Sequence, residues 1–149
     1  MNFTKKARLW YLSGGMTKFG AKDFYKSNDW RRDIKAYIEN KSDYNILCFN
    51  PNDHWSLTSD PEEFTDLEAM RLDIYKLRQS ELVIYNNNDP LSRGSMIELG
   101  IAYERGLPII VLNEDHQEEH PWLVSMAEKI CYTTNYLLMY LQDHYMGMD

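Results

Sequence analysis

The sequence predicts a single-domain α/β fold in which a mainly parallel, five-stranded sheet carries helices on both faces. Short apolar segments alternate with helical patterns along the chain, and this alternation is typical of parallel sheets. The apolar segment 108–112 has no alternating polar residues, which indicates a strand buried on both faces. Glycine, asparagine and proline follow several apolar segments and mark turns where the strands end.

The individual elements follow from these runs and from the residues that interrupt them. Strands are predicted at 9–13, 45–49, 81–86, 108–112 and 130–133. Helices are predicted at 29–38, 62–80, 95–105, 123–129 and 136–145. The polar segments 19–28, 56–61 and 116–121 predict loops. The arrangement is that of one doubly wound (flavodoxin/Rossmann-like) domain over residues 1–149.

Two of these helix predictions are based on apolar residues that recur every three or four positions, as they do on one face of a helix. The first set is Trp30, Ile34, Tyr37 and Ile38, with Asn28 or Asp29 as the cap. The second set is Phe64, Leu67, Met70, Ile74 and Leu77. We therefore expect these side chains to face the sheet.

Composition narrows the class of protein. The formal net charge is −7, which argues against a nucleic-acid polymer as partner because such binders usually carry a basic face. No apolar run approaches the roughly 18 residues of a membrane span, and no signal-peptide cleavage site is evident. Cys48 and Cys131 share no motif spacing, which favours reduced, buried thiols. A cytoplasmic protein is expected.

No metal or cofactor site is predicted. His116 and His120 are four residues apart, but the metalloprotease pattern requires glutamate directly after the first histidine, and Gln117 stands there. Pro121 would also end any helix at this point. We interpret this segment as a surface loop.

Glu98 is the most unusual residue of the chain, because it lies inside the apolar run 96–103. Burying an unpaired carboxylate costs several kcal/mol or forces the group to take up a proton. Glu98 therefore either points to water or is held in a pocket for a functional reason. Its neighbours one turn away, Gly94 and Ala102, are small and leave room beside the carboxylate, which favours a pocket.

The segment before Glu98 can hold an oxygen-rich group. Ser92, Gly94 and Ser95 lie at the predicted N-terminus of the Glu98 helix, where backbone N–H groups and serine hydroxyls bind anions. The alternative is an ordinary serine cap. Ser13, Gly14 and Gly15 form the turn after the first strand.

Three further residues are candidates with structural alternatives. Asp73 lies on the helix before the third strand, where the alternative is a solvated helix face. Tyr11 lies in the first strand and could be an ordinary buried tyrosine. Asp53 follows the second strand and could serve only as a turn residue.

The order of these motifs carries a resemblance to a known family. Tyr11-Leu12-Ser13-Gly14-Gly15-Met16 ends the first strand, and Asp73 precedes the third. Ser92-Arg93-Gly94 is followed by Glu98-Leu99-Gly100-Ile101-Ala102 and then by Gly106-Leu107-Pro108. Together they resemble the nucleoside 2-deoxyribosyltransferases and the related nucleotide N-glycoside hydrolases, over about Leu9 to Leu112.

The resemblance implies a role for each residue. Glu98 would be the nucleophile that forms a covalent sugar ester, Tyr11 would hold it in line, and Asp73 would orient the sugar or assist protonation of the leaving base. Ser92 and Gly94 would bind the 5′ end of the sugar or a 5′-phosphate. The remaining candidate substrate-binding residues are Ser13, Gly14, Gly15, Asp53 and Ser95.

The resemblance also implies a small-molecule nucleoside or nucleotide as partner, no cofactor, and a homodimer or larger assembly. The 4 Trp and 11 Tyr favour an assembly as well. Three functions stay open: transfer of the sugar to a second base, hydrolysis of a 2′-deoxynucleoside 5′-monophosphate, or a non-catalytic nucleotide-binding module. An NAD-processing, TIR-like module is part of the third possibility.

Overall fold

The computed structural model describes residues 8–15, 20–41, 45–54 and 66–147. The strands are β1 (Arg8–Gly14), β2 (Ile46–Phe49), β3 (Leu82–Asn86), β4 (Ile109–Leu112) and β5 (Lys129–Cys131). The helices are α1 (Gly20–Glu39), α2 (Asp66–Gln79), α3 (Arg93–Glu104), α4 (Pro121–Met126) and α5 (Thr134–Leu141). A short 3₁₀ helix (Pro51–His54) follows β2, and a π-helical turn (Gln142–Met146) follows α5.

The sheet is parallel throughout and has the strand order β2-β1-β3-β4-β5. This confirms the predicted five-stranded parallel sheet. β4 lies between β3 and β5, and each of its four residues is buried. The unbroken apolar run at 108–112 is therefore explained by burial on both faces.

Side chains of β1 alternate between two cores, one on each face of the sheet. Trp10 and Leu12 pack in a core that also contains residues of α1 and α5. Tyr11 packs on the other face, in a core with residues of α2, α3 and α4. Because successive side chains of a strand point to opposite faces, Ser13 lies on the same face as Tyr11. The prediction of helices on both faces is confirmed.

The predicted loop at 19–28 is wrong from Gly20 onwards, because α1 begins there. The segment has no apolar period, yet it contains no proline and no glycine after Gly20, so nothing interrupts the helix. Phe19 lies outside the described residues, as does the predicted loop 56–61.

The buried face of α2 also differs from the predicted stripe. Leu67 and Met70 are half-exposed, whereas Ala69 and Leu77 are buried. Asp73 lies four residues from each of the two buried residues and so shares their face. Phe64 lies outside the described residues. The apolar period of α2 was therefore a poor guide because a carboxylate occupies the centre of its inner face.

Other features fit the sequence expectations or extend them. Cys48 and Cys131 are buried free thiols. No helix within the described ranges is long and apolar enough to cross a membrane. On α5, Leu137 and Leu141 are buried while Tyr136 and Met139 are exposed. The homodimer stays a prediction.

Gly15 generates the first testable prediction, because its backbone touches the loop between β3 and α3. Its N–H donates to Asn88 Oδ1 at 3.0 Å, and a Cβ on Gly15 would lie 2.6 Å from Asp89 Cβ. Gly15→Ala is therefore expected to lower the free energy of unfolding by about 1–3 kcal/mol in urea titrations. Gly100→Ala is the control, because a Cβ there meets nothing within 4 Å. Equal stabilities of the two variants would contradict the prediction.

Candidate active site

The site begins at the carboxyl end of β1, where Tyr11 and Ser13 face α2 and α3. Both side chains are fully buried. The Tyr11 ring stacks on Phe49, with the ring centroids 5.5 Å apart, and this contact fixes the direction of the phenol. The parallel sheet therefore presents two hydroxyl groups at the edge where such folds bind ligands.

Helix α3 brings Glu98 to these hydroxyls. It packs Ser95, Leu99 and Ala102 against the core, and Glu98 lies beside Leu99 at the border of this face. The Ser13 hydroxyl donates to Glu98 Oε1 at 3.4 Å. Within the described part of the chain, Glu98 Oε2 is buried without a hydrogen-bond partner. The Glu98 carboxylate is thus buried and held by Ser13 rather than directed into open solvent, which answers the question that its apolar surroundings raise.

Tyr11 and Asp73 complete the group around this carboxylate. The Tyr11 hydroxyl interacts with Glu98, although the two groups do not meet the geometry of a full hydrogen bond. Asp73 comes from the inner face of α2 and interacts electrostatically with both Tyr11 and Glu98. Its Oδ1 is buried and has no partner among the described residues. Of the predicted residues, the structure brings together Tyr11, Ser13, Asp73 and Glu98.

The environment changes the acidity of all three titratable groups. Burial raises the pKa of Glu98 to about 7, against the opposing effects of Tyr11, Arg31 and Ser13. Burial and the charge of Glu98 raise the pKa of Asp73 to about 7, while Arg31 opposes this shift. Burial and the two carboxylates raise the pKa of Tyr11 far above its ordinary value, so the phenol keeps its proton. The site therefore contains protonated and ionised carboxyl groups near neutral pH.

Arg31 is part of this electrostatic group, and the sequence reasoning missed it. It is 1% exposed, and its guanidinium donates to the carbonyls of Gly14 and Leu12. An arginine in a charged helical segment looks like a solvent-facing residue. The available signal was its spacing, because Arg31, Ile34 and Ile38 fall on one helical face and both isoleucines are buried.

The serines before Glu98 act as the helix cap that the sequence allowed as an alternative. Ser92 is the N-cap of α3 and accepts from the Ser95 backbone N–H at 3.4 Å. The Ser92 and Ser95 hydroxyls lie 2.9 Å apart. A Cβ on Gly94 would meet nothing within 4 Å, so open space adjoins the helix one turn before Glu98.

Gly14 and Asp53 occupy the ends of neighbouring strands. A Cβ on Gly14 would lie 3.0 Å from the Trp30 ring and 3.2 Å from the Asn86 carbonyl oxygen, so glycine allows close packing there. Asp53 is exposed and pairs with Lys35 at 3.2 Å. Among the described residues, the Asp53 carboxylate contacts Lys35 and Asn50 rather than Tyr11, Asp73 or Glu98.

Buried asparagines follow three of the strands, β2, β3 and β4, and were also missed. Asn87 donates to the Glu118 carbonyl, and Asn113 donates to the Gln117 carbonyl, so both hold the loop after β4. Asn52 is 4% exposed, and neither of its amide atoms has a partner in the described regions. The runs of asparagine after apolar segments were read only as turns, which is where side-chain amides also satisfy loop backbone.

The two histidines after β4 have structural contacts. His116 stacks on Tyr132, and His120 accepts from the Trp122 N–H at the start of α4. In the ranges that the structure describes, no group of three His, Cys, Asp or Glu residues is placed to hold a metal ion.

Comparison of the sequence with protein-family profiles and with curated proteins gives no match. Solved structures do match. A conserved protein from Enterococcus faecalis has a TM-score of 0.71 at 14% identity, over 93% of this chain and 99% of its own.

Two structurally similar proteins have a described activity. A 2-deoxyribosyltransferase from Bacillus psychrosaccharolyticus matches with a TM-score of 0.66 at 12% identity, over 87% of this chain and 89% of its own. A CMP N-glycosidase from Clostridium botulinum matches with a TM-score of 0.59 at 18% identity, over 91% of this chain and 99% of its own. The chain therefore has the fold that these two enzymes share.

The raised pKa of Glu98 generates the second prediction, which concerns stability. The stability that this carboxyl contributes is fully present below about pH 4.5 and is lost as the pH rises through about 7. Glu98→Gln does not suffer this loss, so its advantage over the wild type should grow between pH 5 and pH 8. Urea unfolding at both pH values measures it, with the exposed Glu104→Gln on the same helix as control. A pH-independent difference for Glu98→Gln would contradict the expectation.

Proposed function

We propose that this protein cleaves the N-glycosidic bond of a (deoxy)nucleoside or nucleotide, with Glu98 as the nucleophile. The observation that carries the proposal is the Glu98 carboxylate, held by Ser13 beside Tyr11 with its second oxygen unpartnered within the described structure. A carboxylate held in this way can attack an anomeric carbon. The fold shared with a 2-deoxyribosyltransferase and a CMP N-glycosidase supports the substrate class.

In the first step, a Glu98 oxygen bonds to C1′ of the sugar while the bond from C1′ to the base nitrogen breaks. The electron pair of the broken bond goes to the base, and the transition state resembles an oxocarbenium ion. Glu98 must be ionised for this attack. Arg31 and the Ser13 hydroxyl favour the ionised form, because both lower the pKa of Glu98 against the effect of burial.

Asp73 is the proposed acid for the leaving base. Its pKa of about 7 leaves a substantial protonated fraction at neutral pH, and the ionised Glu98 favours that fraction. A proton on Asp73 neutralises the base as it leaves, which lowers the barrier to cleavage. Two carboxyls in one site thus take opposite roles, as nucleophile and as acid.

In the second step, a nucleophile attacks C1′ of the sugar ester and Glu98 leaves as carboxylate. Water gives hydrolysis, and a second base gives transfer. Tyr11 keeps its proton and can hold the Glu98 oxygen that does not form the ester. Deprotonated Asp73 can accept the proton of the attacking group, which restores the starting state.

The 5′ end of the sugar is assigned to the N-terminus of α3. The first backbone N–H groups of a helix favour an anion, and Ser92 and Gly94 lie at this end of α3, with Gly94 one turn before Glu98. This arrangement favours a 5′-monophosphate and therefore hydrolysis of a nucleotide as the first activity to test. Ser95 would act by orienting Ser92, because their hydroxyls are in contact. Gly14 and Gly15 would shape the turn beside the sugar.

The third prediction concerns product formation by wild type and Glu98 variants. Purified protein is incubated with deoxynucleosides, deoxynucleoside 5′-monophosphates and NAD, with and without a free acceptor base, and the products are separated by chromatography. Glu98→Ala should stay folded and lose about 10³-fold or more of turnover, because no other group replaces the nucleophile. Glu98→Gln should behave alike with the side-chain shape kept.

The outcomes distinguish the possible functions. Base released without an acceptor indicates a hydrolase, and exchange that requires an acceptor indicates a transferase. Glu104→Gln, an exposed carboxylate of the same helix, should retain wild-type turnover. Undiminished cleavage by folded Glu98→Ala would overturn the nucleophile assignment. Binding without turnover in the wild type would favour the non-catalytic module.

The fourth prediction uses two glycines of α3. Neither would place a Cβ within 4 Å of another group, so Gly94→Ala and Gly100→Ala should both fold. Gly94 lies one turn before Glu98 on the same face, whereas Gly100 is rotated by about 200° from Glu98. Gly94→Ala should raise KM for the preferred substrate about tenfold or more by filling space beside its 5′ end. Gly100→Ala should leave KM unchanged, and equal KM values would reject the assigned 5′ position.

A further inference from the structure

We propose that Arg31 is a positioning residue for the reaction: from the opposite layer of the sheet, its guanidinium fixes the end of β1 and supplies the positive charge that keeps Glu98 a nucleophile. The role of Glu98 as nucleophile rests on the proposed function. The contacts of Arg31 do not, and they can be tested in the absence of substrate.

β1 and β2 differ in length. Their register ends at the pair Tyr11 and Phe49, so β1 runs on beyond its neighbour. The Leu9 carbonyl accepts from the Glu81 N–H at the start of β3. Since carbonyls alternate in direction along a strand, those of Leu12 and Gly14 point to the other side, where β2 has already ended.

Arg31 takes the place of the missing strand residues. Its Nη2 donates to the Gly14 carbonyl at 2.8 Å, and its Nε lies 3.5 Å from the Leu12 carbonyl. Two different nitrogens of one planar guanidinium thus reach two backbone acceptors that are two residues apart on the strand. A lysine has a single ammonium group and cannot reproduce this arrangement.

The residue between these two carbonyls is Ser13, whose hydroxyl donates to Glu98. The Leu12 carbonyl belongs to the peptide group before Ser13, and the Gly14 carbonyl lies one residue after it, so holding both restricts the backbone at Ser13 and with it the direction of the Cα–Cβ bond that carries the hydroxyl. Ile34 and Ile38 of α1 pack on the opposite face of the sheet from the buried residues of α3, and the contacts of Arg31 with the Leu12 and Gly14 carbonyls therefore act on Glu98 through the strand. This makes it a positioning residue.

The positive charge of Arg31 also acts on the neighbouring titratable groups. Arg31 is 1% exposed, and burial lowers its pKa to about 10, while Glu98, Tyr11 and Asp73 oppose that shift. It is therefore protonated at neutral pH. Its charge lowers the pKa of Glu98, Asp73 and Tyr11 in turn. Among the described residues, the groups that interact with the Glu98 carboxyl are Tyr11 and Ser13 from β1, Arg31 from α1 and Asp73 from α2.

These two effects serve one requirement of the chemistry. Two carboxyl groups that share a buried site tend to hold protons, and a protonated Glu98 cannot attack C1′. A buried cation beside the strand shifts the balance toward the ionised carboxylate without occupying the space in front of it. Removal of the charge should therefore move the pH at which Glu98 ionises upward.

The test compares Arg31→Met, Arg31→Gln and Arg31→Lys with Arg32→Met, whose side chain is the exposed neighbour on α1. The first measurement is the pH dependence of kcat/KM on the substrate that the wild type cleaves. Arg31→Met and Arg31→Gln should move the acid limb up by about one pH unit or more. Arg31→Lys should keep the acid limb of the pH profile closer to that of the wild type, because the positive charge remains. Its kcat should fall, because lysine cannot form both hydrogen bonds to the Leu12 and Gly14 carbonyls. Arg32→Met should match the wild type.

The second measurement needs no activity. The Glu98 carboxyl is followed by ¹³C NMR in substrate-free protein, with its resonance identified by its loss in Glu98→Gln. The midpoint should rise in Arg31→Met and in Arg31→Gln, which still carries an amide donor for one carbonyl. Unmoved midpoints and acid limbs in folded variants would overturn the proposal and leave Arg31 a structural residue. A wild type that cleaves nothing would refute the proposed function while the NMR midpoint still decides the role of Arg31.

Discussion

The structure depends on how it accommodates Glu98 and Asp73 at the end of one strand. Burying carboxylates is unfavourable, and their mutual repulsion adds to the cost. Within the described residues, a serine hydroxyl, a phenol and the Arg31 charge reduce that cost for Glu98. Raised carboxyl pKa values are the part of the cost that remains, and they are what acid–base chemistry near neutral pH requires.

The two layers of the fold divide the work. The α2 and α3 layer supplies the groups proposed to meet substrate, Asp73 and Glu98, and the α1 layer supplies the arginine that supports them from behind. β1 connects the layers because its side chains alternate between the two faces of the sheet and because it extends beyond the end of β2. A longer β2 would pair the Leu12 and Gly14 carbonyls and would leave no acceptors there for a guanidinium. The short second strand is thus a condition for the charge arrangement at Glu98.

The fold was predictable because burial on both faces of a parallel sheet leaves unbroken apolar runs, and all five strands were found within two residues of their ends. Glu98 was found for a different reason, because it is a charged residue inside the apolar run 96–103 of helix α3. Arg31 and the inner face of α2 were not identified from the sequence, because a single polar residue on a helix looks the same in sequence whether it faces water or the core. Only the tertiary structure distinguishes the two cases. The Leu12 and Gly14 carbonyls, which β2 does not reach, accept from Arg31, and Leu67 and Met70 on α2 are half-exposed.

Precise placement of the candidate site also depends on the loops that surround it. Gly15 lies against Asn88 and Asp89, so the turn after β1 and the loop before α3 hold each other in place. Ser92 then starts α3 at a defined residue, which sets the rotation of Glu98 about the helix axis. Because a nucleophile displaced by about 1 Å can lose most of its effectiveness, these contacts matter as much as the charges. The glycine turn and the serine cap therefore help to set the geometry of the proposed site even if they touch no substrate.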